Sequence, residues 1–190
     1  MAETASAEKR ELFELIAQRS FRRGHFTLSS GAVSEMYFNL KPTMLDPRGA
    51  RLCARAFLDI IAAEKTGFAG GLEMGAVPML GSLAALSDRQ GRPVRTFFVR
   101  KTPKMHGTKE SIEGLAPGET LAGARAMIVD DVATTGQSIL KAAAAAREAG
   151  ASVDCALVLV DREEGARAAL ARESIRLLCV FRGREFLESR

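Results

Sequence analysis

Residues 127–139 read Met-Ile-Val-Asp-Asp-Val-Ala-Thr-Thr-Gly-Gln-Ser-Ile, and they hold the most concentrated chemistry in the chain. An apolar run delivers Asp130 and Asp131 together to what should be the carboxyl end of a strand. Small residues follow as far as Gly136, and then a helix is expected. The first turn of a helix has N–H groups with no acceptor inside the helix and a partial positive charge. Gly136 lets the backbone come close, and Thr134, Thr135 and Ser138 add hydroxyl donors, so the loop can cradle a phosphate. Two carboxylates beside a phosphate would repel it unless they face something else. Ionised carboxylates only accept hydrogen bonds, so ribose hydroxyls suit them, as does a metal held through water. A sugar phosphate therefore satisfies both halves of the motif. The plain alternative is a strand ending in two solvated acids before a capped helix; the length of the matching string argues against it. Neither GxxxxGK[ST] nor GxGxxG after a strand occurs, which counts against a P-loop nucleotidase and a dinucleotide fold.

A second cluster is basic. Arg100, Lys101, Lys104 and His106 follow the apolar run 94–99. They lead into residues 102–120, which lack sustained periodicity and contain Gly107, Gly114, Pro117 and Gly118. A connection this long inside a compact domain is usually functional or mobile. Cations there suit the departure of an anionic leaving group, because charge grows on its oxygen as the bond breaks. Closure of such a loop would also exclude water. A solvated basic loop is the alternative. His25 has no such company and reads as structural.

The elements that must position these groups alternate. Residues 8–18 carry Leu12, Leu15 and Ile16 at helical spacing. Residues 26–41 are short, aromatic and punctuated by Ser and Gly, like a hairpin or small irregular sheet. Asp46-Pro47 opens a helix, with Asp46 as N-cap and Pro47 at the first helical position. From there strands are expected at 68–72, 94–99, 125–129, 153–160 and 175–181. Helices are expected at 77–89, 138–149 (ended by Gly150) and 165–172. Such alternation predicts an α/β fold with a mostly parallel central sheet flanked by helices. Ligands in such folds bind at the carboxyl ends of strands.

Composition is consistent with that reading. The 190 residues are 47% hydrophobic and 26% charged, enough for a core without disulfides or metal. Cys53, Cys155 and Cys179 are far apart among apolar neighbours and read as small buried hydrophobes. Residues 1–20 are charged and lack the apolar centre of a signal peptide. No apolar run approaches the ~20 residues of a membrane helix, so a cytoplasmic protein is expected. A net charge of +4 suits a polyanionic small substrate as well as nucleic acid.

Residues 127–139 resemble the motif of the type I phosphoribosyltransferases that binds phosphoribosyl pyrophosphate (PRPP). The pattern Arg-Lys-x-x-Lys-x-His-Gly at 100–107 resembles the catalytic loop of the orotate branch, and 26–39 resembles its orotate-binding hood. The resemblance implies one domain over 1–190, with a hood at about 1–45 and a core at about 46–190. It implies transfer of phosphoribose to orotate, with Mg²⁺ held mainly through PRPP and water and no direct protein ligand. Asp130 and Asp131 would hold the ribose hydroxyls. Val132, Ala133, Thr134, Thr135, Gly136, Gln137 and Ser138 would bind the 5′-phosphate side of PRPP. Lys101 would be the principal catalytic cation. Lys104, His106 and Arg100 would hold pyrophosphate, with His106 a weaker candidate for passing a proton.

For the base, the hood offers Tyr37 and Phe38 as an aromatic surface and Ser29 and Ser30 for the polar edge, while Phe26 reads as core packing. Thr134 would also face the base. Arg162, in Asp-Arg-Glu-Glu-Gly, matches the family's arginine and can grip a carboxylate with two bonds. By itself it would read as a surface ion pair with Glu163 or Glu164. Where some relatives carry Tyr-Lys, this chain has Met74-Gly75, so backbone N–H groups around residues 73–76 would have to serve pyrophosphate. The resemblance further implies a homodimer whose 100–118 loop reaches the other subunit's site, with no nucleic-acid or membrane partner. A purine-type transferase shares the PRPP motif but lacks the hood and basic loop. A PRPP-sensing nucleic-acid-binding regulator would need a DNA-binding module or basic tail, and neither is evident.

Overall fold

The computed structural model describes residues 2–27, 33–102 and 111–189. Helix α1 (Ala2–Arg19) leads into a hairpin of β1 (Phe21–Thr27) and β2 (Val33–Phe38). Short α2 (Lys41–Met44) and long α3 (Pro47–Glu64) follow, then β3 (Phe68–Leu72), α4 (Val77–Arg89) and β4 (Arg95–Val99). The chain continues through β5 (Ile112–Glu113), β6 (Ala126–Ala133), α5 (Gln137–Glu148), β7 (Cys155–Asp161), α6 (Ala166–Arg172), β8 (Arg176–Arg182) and α7 (Gly183–Glu188).

The central sheet has the order β5-β4-β3-β6-β7-β8. All its pairings are parallel except β4 with β5. Successive residues of a strand point to opposite faces. Met127 and Val129 of β6 and Leu157 of β7 therefore join a core with α1, α3 and α4. Ala126 and Ile128, with Ala156 and Val158, join a second core with α5 and α6. Because both faces are covered, β6 and β7 read as continuous apolar runs rather than as alternation. The chain winds outward from β3 to β4, then returns to lay β6 on the other side of β3. Loops after β3 and β6 thus diverge at a topological switch point, where a crevice forms beyond the strand ends.

Asp46 caps α3 as its sequence predicts, accepting hydrogen bonds from the N–H groups of Arg48 and Gly49, each at 3.0 Å. Several boundaries differ from expectation. Helix α1 begins at Ala2, and the hairpin begins at Phe21, which pairs with Phe38. Within 102–120, Ile112 and Glu113 pair with Val99 and Phe98. Strand β6 runs on through Asp130 and Asp131. Helix α7 is too short to show periodicity, yet it anchors the hairpin. Its Phe186 is 2% exposed and stacks on Phe13 of α1 at 4.3 Å. It also meets Phe21 at 5.6 Å, Phe38 at 5.2 Å and Phe181 at 5.7 Å. Cys53 and Cys155 are buried as expected, and burial pushes their thiols up to about 12 and about 11, whereas Cys179 is only half-buried and accepts from Arg167 at 3.3 Å.

Removing Phe186 would open a cavity shared by α1, the hairpin and β8. Phe186→Ala should cost about 3–5 kcal/mol of stability in urea unfolding, as for other buried aromatic truncations. A loss below about 1 kcal/mol would show that the hairpin is held by other contacts.

Candidate active site

Asp130 is 5% exposed, and its neighbour Asp131 is half-buried. Burial pushes the Asp130 carboxyl up to about 7, and the adjacent Asp131 charge adds to the rise. Asp131 is also raised by burial, although the Lys41 ammonium opposes the shift. The pair survives because donors surround it. The Ser138 hydroxyl donates to Asp130 Oδ2 at 2.5 Å. The Asp131 N–H donates to Asp130 Oδ1 at 3.0 Å, and the Val132 N–H to Asp131 Oδ1 at 2.8 Å. Lys41 Nζ lies 4.0 Å from Asp131 Oδ2. No local motif marks Lys41 in the sequence. Only the fold brings the start of α2 over the end of β6.

The loop after β6 turns at Gly136, whose φ of +82° is the left-handed conformation that glycine tolerates. It enters α5 without a side-chain cap. Among the described residues, the N–H groups at positions 135–138 have no acceptor, which leaves them directed outward as an anion cradle. The Ser138 hydroxyl, expected at the phosphate, is instead committed to Asp130, since a buried carboxylate needs its donors. Thr134 is half-buried, and Thr135 and Gln137 are exposed. Val132 is half-buried and Ala133 buried in the strand end. The Thr134 carbonyl accepts from Ala166 N–H, tying the cradle to α6.

The loop after β3 crosses the same crevice. At Gly75 a Cβ would lie 2.4 Å from Asp130 Oδ1, so only glycine permits this approach. Two of its expected backbone donors are already used. Glu73 N–H donates to Val99 O and Ala76 N–H to Leu72 O, so the donors left on this loop are Met74 and Gly75. Arg100 and Lys101 stand at the neighbouring end of β4. Arg100 pairs with Glu113 at 3.3 Å across the root of its loop. Lys104 and His106, and likewise Ser29 and Ser30, lie outside the described residues.

The hairpin closes the crevice from the β7 side. Tyr37 and Phe38 are adjacent on β2 and so face opposite ways. Tyr37 is 42% exposed, whereas Phe38 packs into the core against Phe21 and Phe186. Phe38 is therefore a core residue and not a ligand surface. Phe26, expected in the core, instead pairs with Tyr37 at 5.4 Å on the hairpin's outer face. His25 is exposed at the irregularity between Arg23 and Phe26. Arg162, only 6% exposed, is no surface residue. One of its terminal nitrogens donates to Ser34 Oγ at 2.8 Å, Met36 O at 3.1 Å and Glu164 Oε1 at 2.8 Å. Its Nε and Glu164 Oε2 are buried without partners.

A hollow of about 740 Å³ lies elsewhere, between residues 111–121 and the end of α5. Its walls carry Glu113, Glu119 and Glu148 and no cation, the wrong sign for phosphate. Among the described residues, no group of three or more His, Cys, Asp or Glu side chains could hold a metal. No helix among them is long and apolar enough to cross a membrane.

The profile of the family described as "Phosphoribosyl transferase domain" matches residues 44–176. The orotate phosphoribosyltransferase of Rhodopseudomonas palustris (strain BisB5) is 52% identical over 182 residues, covering 96% of this chain and 97% of that one. Among solved structures, Mycobacterium tuberculosis H37Rv orotate phosphoribosyltransferase superposes with a TM-score of 0.80 at 33% identity, over 94% of this chain and 98% of that one. A complex of that enzyme with PRPP superposes with a TM-score of 0.76 at 31% identity, with the same coverage of both chains.

The Asp130 shift has a stability consequence. Its folded-state value lies above the ordinary 3.8, so the folded chain holds a proton that the unfolded chain has released. The associated stability is complete below the ordinary value and is lost as pH rises toward about 7. Asp130→Asn should raise the thermal midpoint at pH 8 by roughly 5 °C or more. That gain should vanish below about pH 3, where both states carry the proton. A gain independent of pH in parallel melts would disprove the linkage.

Proposed function

The chain belongs to the orotate phosphoribosyltransferases, within the phosphoribosyl transferase domain family, and from that membership we propose how its residues share the work. It transfers the 5-phosphoribosyl group of PRPP to orotate, giving orotidine 5′-monophosphate and pyrophosphate in pyrimidine biosynthesis. The observation that carries the assignment of roles is the end of β6. Two carboxylates stand beside an uncapped helix start, which suits a ribose joined to a phosphate.

Asp130 and Asp131 accept the ribose hydroxyls, and Lys41 shares the Asp131 side of that contact. The N–H groups at 135–138, with Thr134 and Thr135, hold the 5′-phosphate. The Met74 and Gly75 N–H groups face the pyrophosphate. Orotate lies under Tyr37, with its carboxylate toward Arg162, whose buried Nε lacks a partner. A buried donor without an acceptor costs stability, so a ligand that supplies one is favoured there.

As the orotate ring nitrogen, its proton released to water or to the departing pyrophosphate, bonds to the anomeric carbon, the bond from that carbon to the pyrophosphate oxygen breaks. Lys101 meets the growing negative charge, assisted by Arg100, Lys104 and His106. Arg100 must then leave Glu113. Mg²⁺ carried in with PRPP would supply further positive charge there, with Asp130 and Asp131 able to hold it through water. The donor set fits an ion held through PRPP and water, since among the described residues Asp130 and Asp131 are the carboxylates gathered at the end of β6. We further assign the chain a cytoplasmic location, one domain, and a homodimer in which residues 100–118 reach the partner subunit's site.

Orotate absorbance should fall only when the protein, PRPP and Mg²⁺ are all present. Turnover of adenine, hypoxanthine or uracil instead would overturn the assignment of the base site. Lys101→Ala should lower turnover by on the order of a hundredfold or more, as for loss of a transition-state donor. Asp131→Asn should weaken PRPP binding in calorimetry, and unchanged affinity would count against the ribose contact.

A further inference from the structure

Lys101 stands just past β4, where the ladder ends and its peptide groups would be left to water. Both are taken by side chains from other elements. Its N–H donates to Glu73 Oε1 at 2.7 Å, and its carbonyl accepts from Lys141 Nζ at 2.8 Å. Each bond has one charged partner, the stronger kind of hydrogen bond. Glu73 lies on the loop whose Gly75 lies against Asp130, and Lys141 lies on α5 one turn beyond the phosphate cradle. A carboxylate at position 73 is otherwise ill placed, because that loop faces a polyanion.

We propose that Glu73 and Lys141 are positioning residues for Lys101, gripping its peptide from two sides so that the catalytic ammonium starts from a fixed backbone. This rests on the role given to Lys101 above. The clamp joins the three elements around the switch point: the loop after β3, the end of β4 and the start of α5. The clamp thereby fixes the root from which residues 100–118 extend, and with it the starting point of the Lys101 side chain. Such fixing acts on the transition state more than on the bound substrate.

The test is a double-mutant cycle on the full enzyme, reading kcat alongside the PRPP dissociation constant from calorimetry with Mg²⁺. Lys141→Ala and Glu73→Ala should each lower kcat about tenfold, the scale of one charged hydrogen bond. PRPP affinity should hold within about twofold, since the lost bonds are not made to substrate. Lys141→Arg and Glu73→Gln keep a donor and an acceptor and should recover most of the loss. In a Lys101→Ala background, neither alanine change should lower kcat further. The clamp is overturned if Lys101→Ala is crippled while the single variants turn over normally. It is equally overturned if their losses multiply with that of Lys101→Ala, or if Lys141→Ala weakens PRPP binding in step with kcat. Normal turnover by Lys101→Ala itself would overturn the role of Lys101 and the clamp with it.

Discussion

Two carboxylates side by side at a buried strand end are the arrangement the rest of this structure accommodates. Neighbouring negative charges repel, and both lose water. The surroundings answer each cost with something specific. Ser138 gives its hydroxyl, two backbone N–H groups fold back, and Lys41 brings a positive charge from outside the sheet. Gly75 keeps the opposite wall close without a side chain. These contacts reduce the penalty without removing it, as the raised Asp130 value shows. Hydroxyl donors from a ligand would complete the set, which is what the proposed ribose contact supplies.

Opposite ends of the sheet are treated differently. At the end where strands begin, Arg125 and Arg176 both pair with Glu64, and Arg125 also pairs with Asp154 at 2.8 Å. Those charges are matched. At the other end Asp130, Asp131, the free N–H groups of α5 and the Nε of Arg162 are left partly unmatched. Binding capacity in this fold rests on polar groups left unpaired at the carboxyl ends of the strands, although Arg55 Nε and Thr66 Oγ1 are also buried without partners elsewhere.

Features written into short stretches were legible in the sequence. Asp46-Pro47 announces its helix, and the apolar run into Asp-Asp followed by Thr-Thr-Gly announces the end of β6 and the start of α5. What was not legible depends on which way a residue faces or on a distant partner. Tyr37 and Phe38 are adjacent and similar, and only docking of the hairpin decides that Phe38 turns inward. Ser138 could serve phosphate or Asp130, and the burial of Asp130 decides. Lys41 and Lys141 are ordinary lysines in the sequence, and their neighbours lie far along the chain. Helix α7 has too few turns to show a period, so the role of Phe186 emerges only from the four other rings around it.

That ring cluster bears on how the protein is made. Arg23 of the hairpin donates to the carbonyl of Leu187, 164 positions away. During synthesis the amino-terminal part emerges first. The hairpin must therefore wait, with Phe21 and Phe38 uncovered, until β8 and α7 have left the ribosome. The β6–α5 phosphate cradle emerges well before that moment. The strand end and helix start that carry Asp130, Asp131 and Gly136 are thus complete while the aromatic rings of the hairpin still lack their carboxyl-terminal partners.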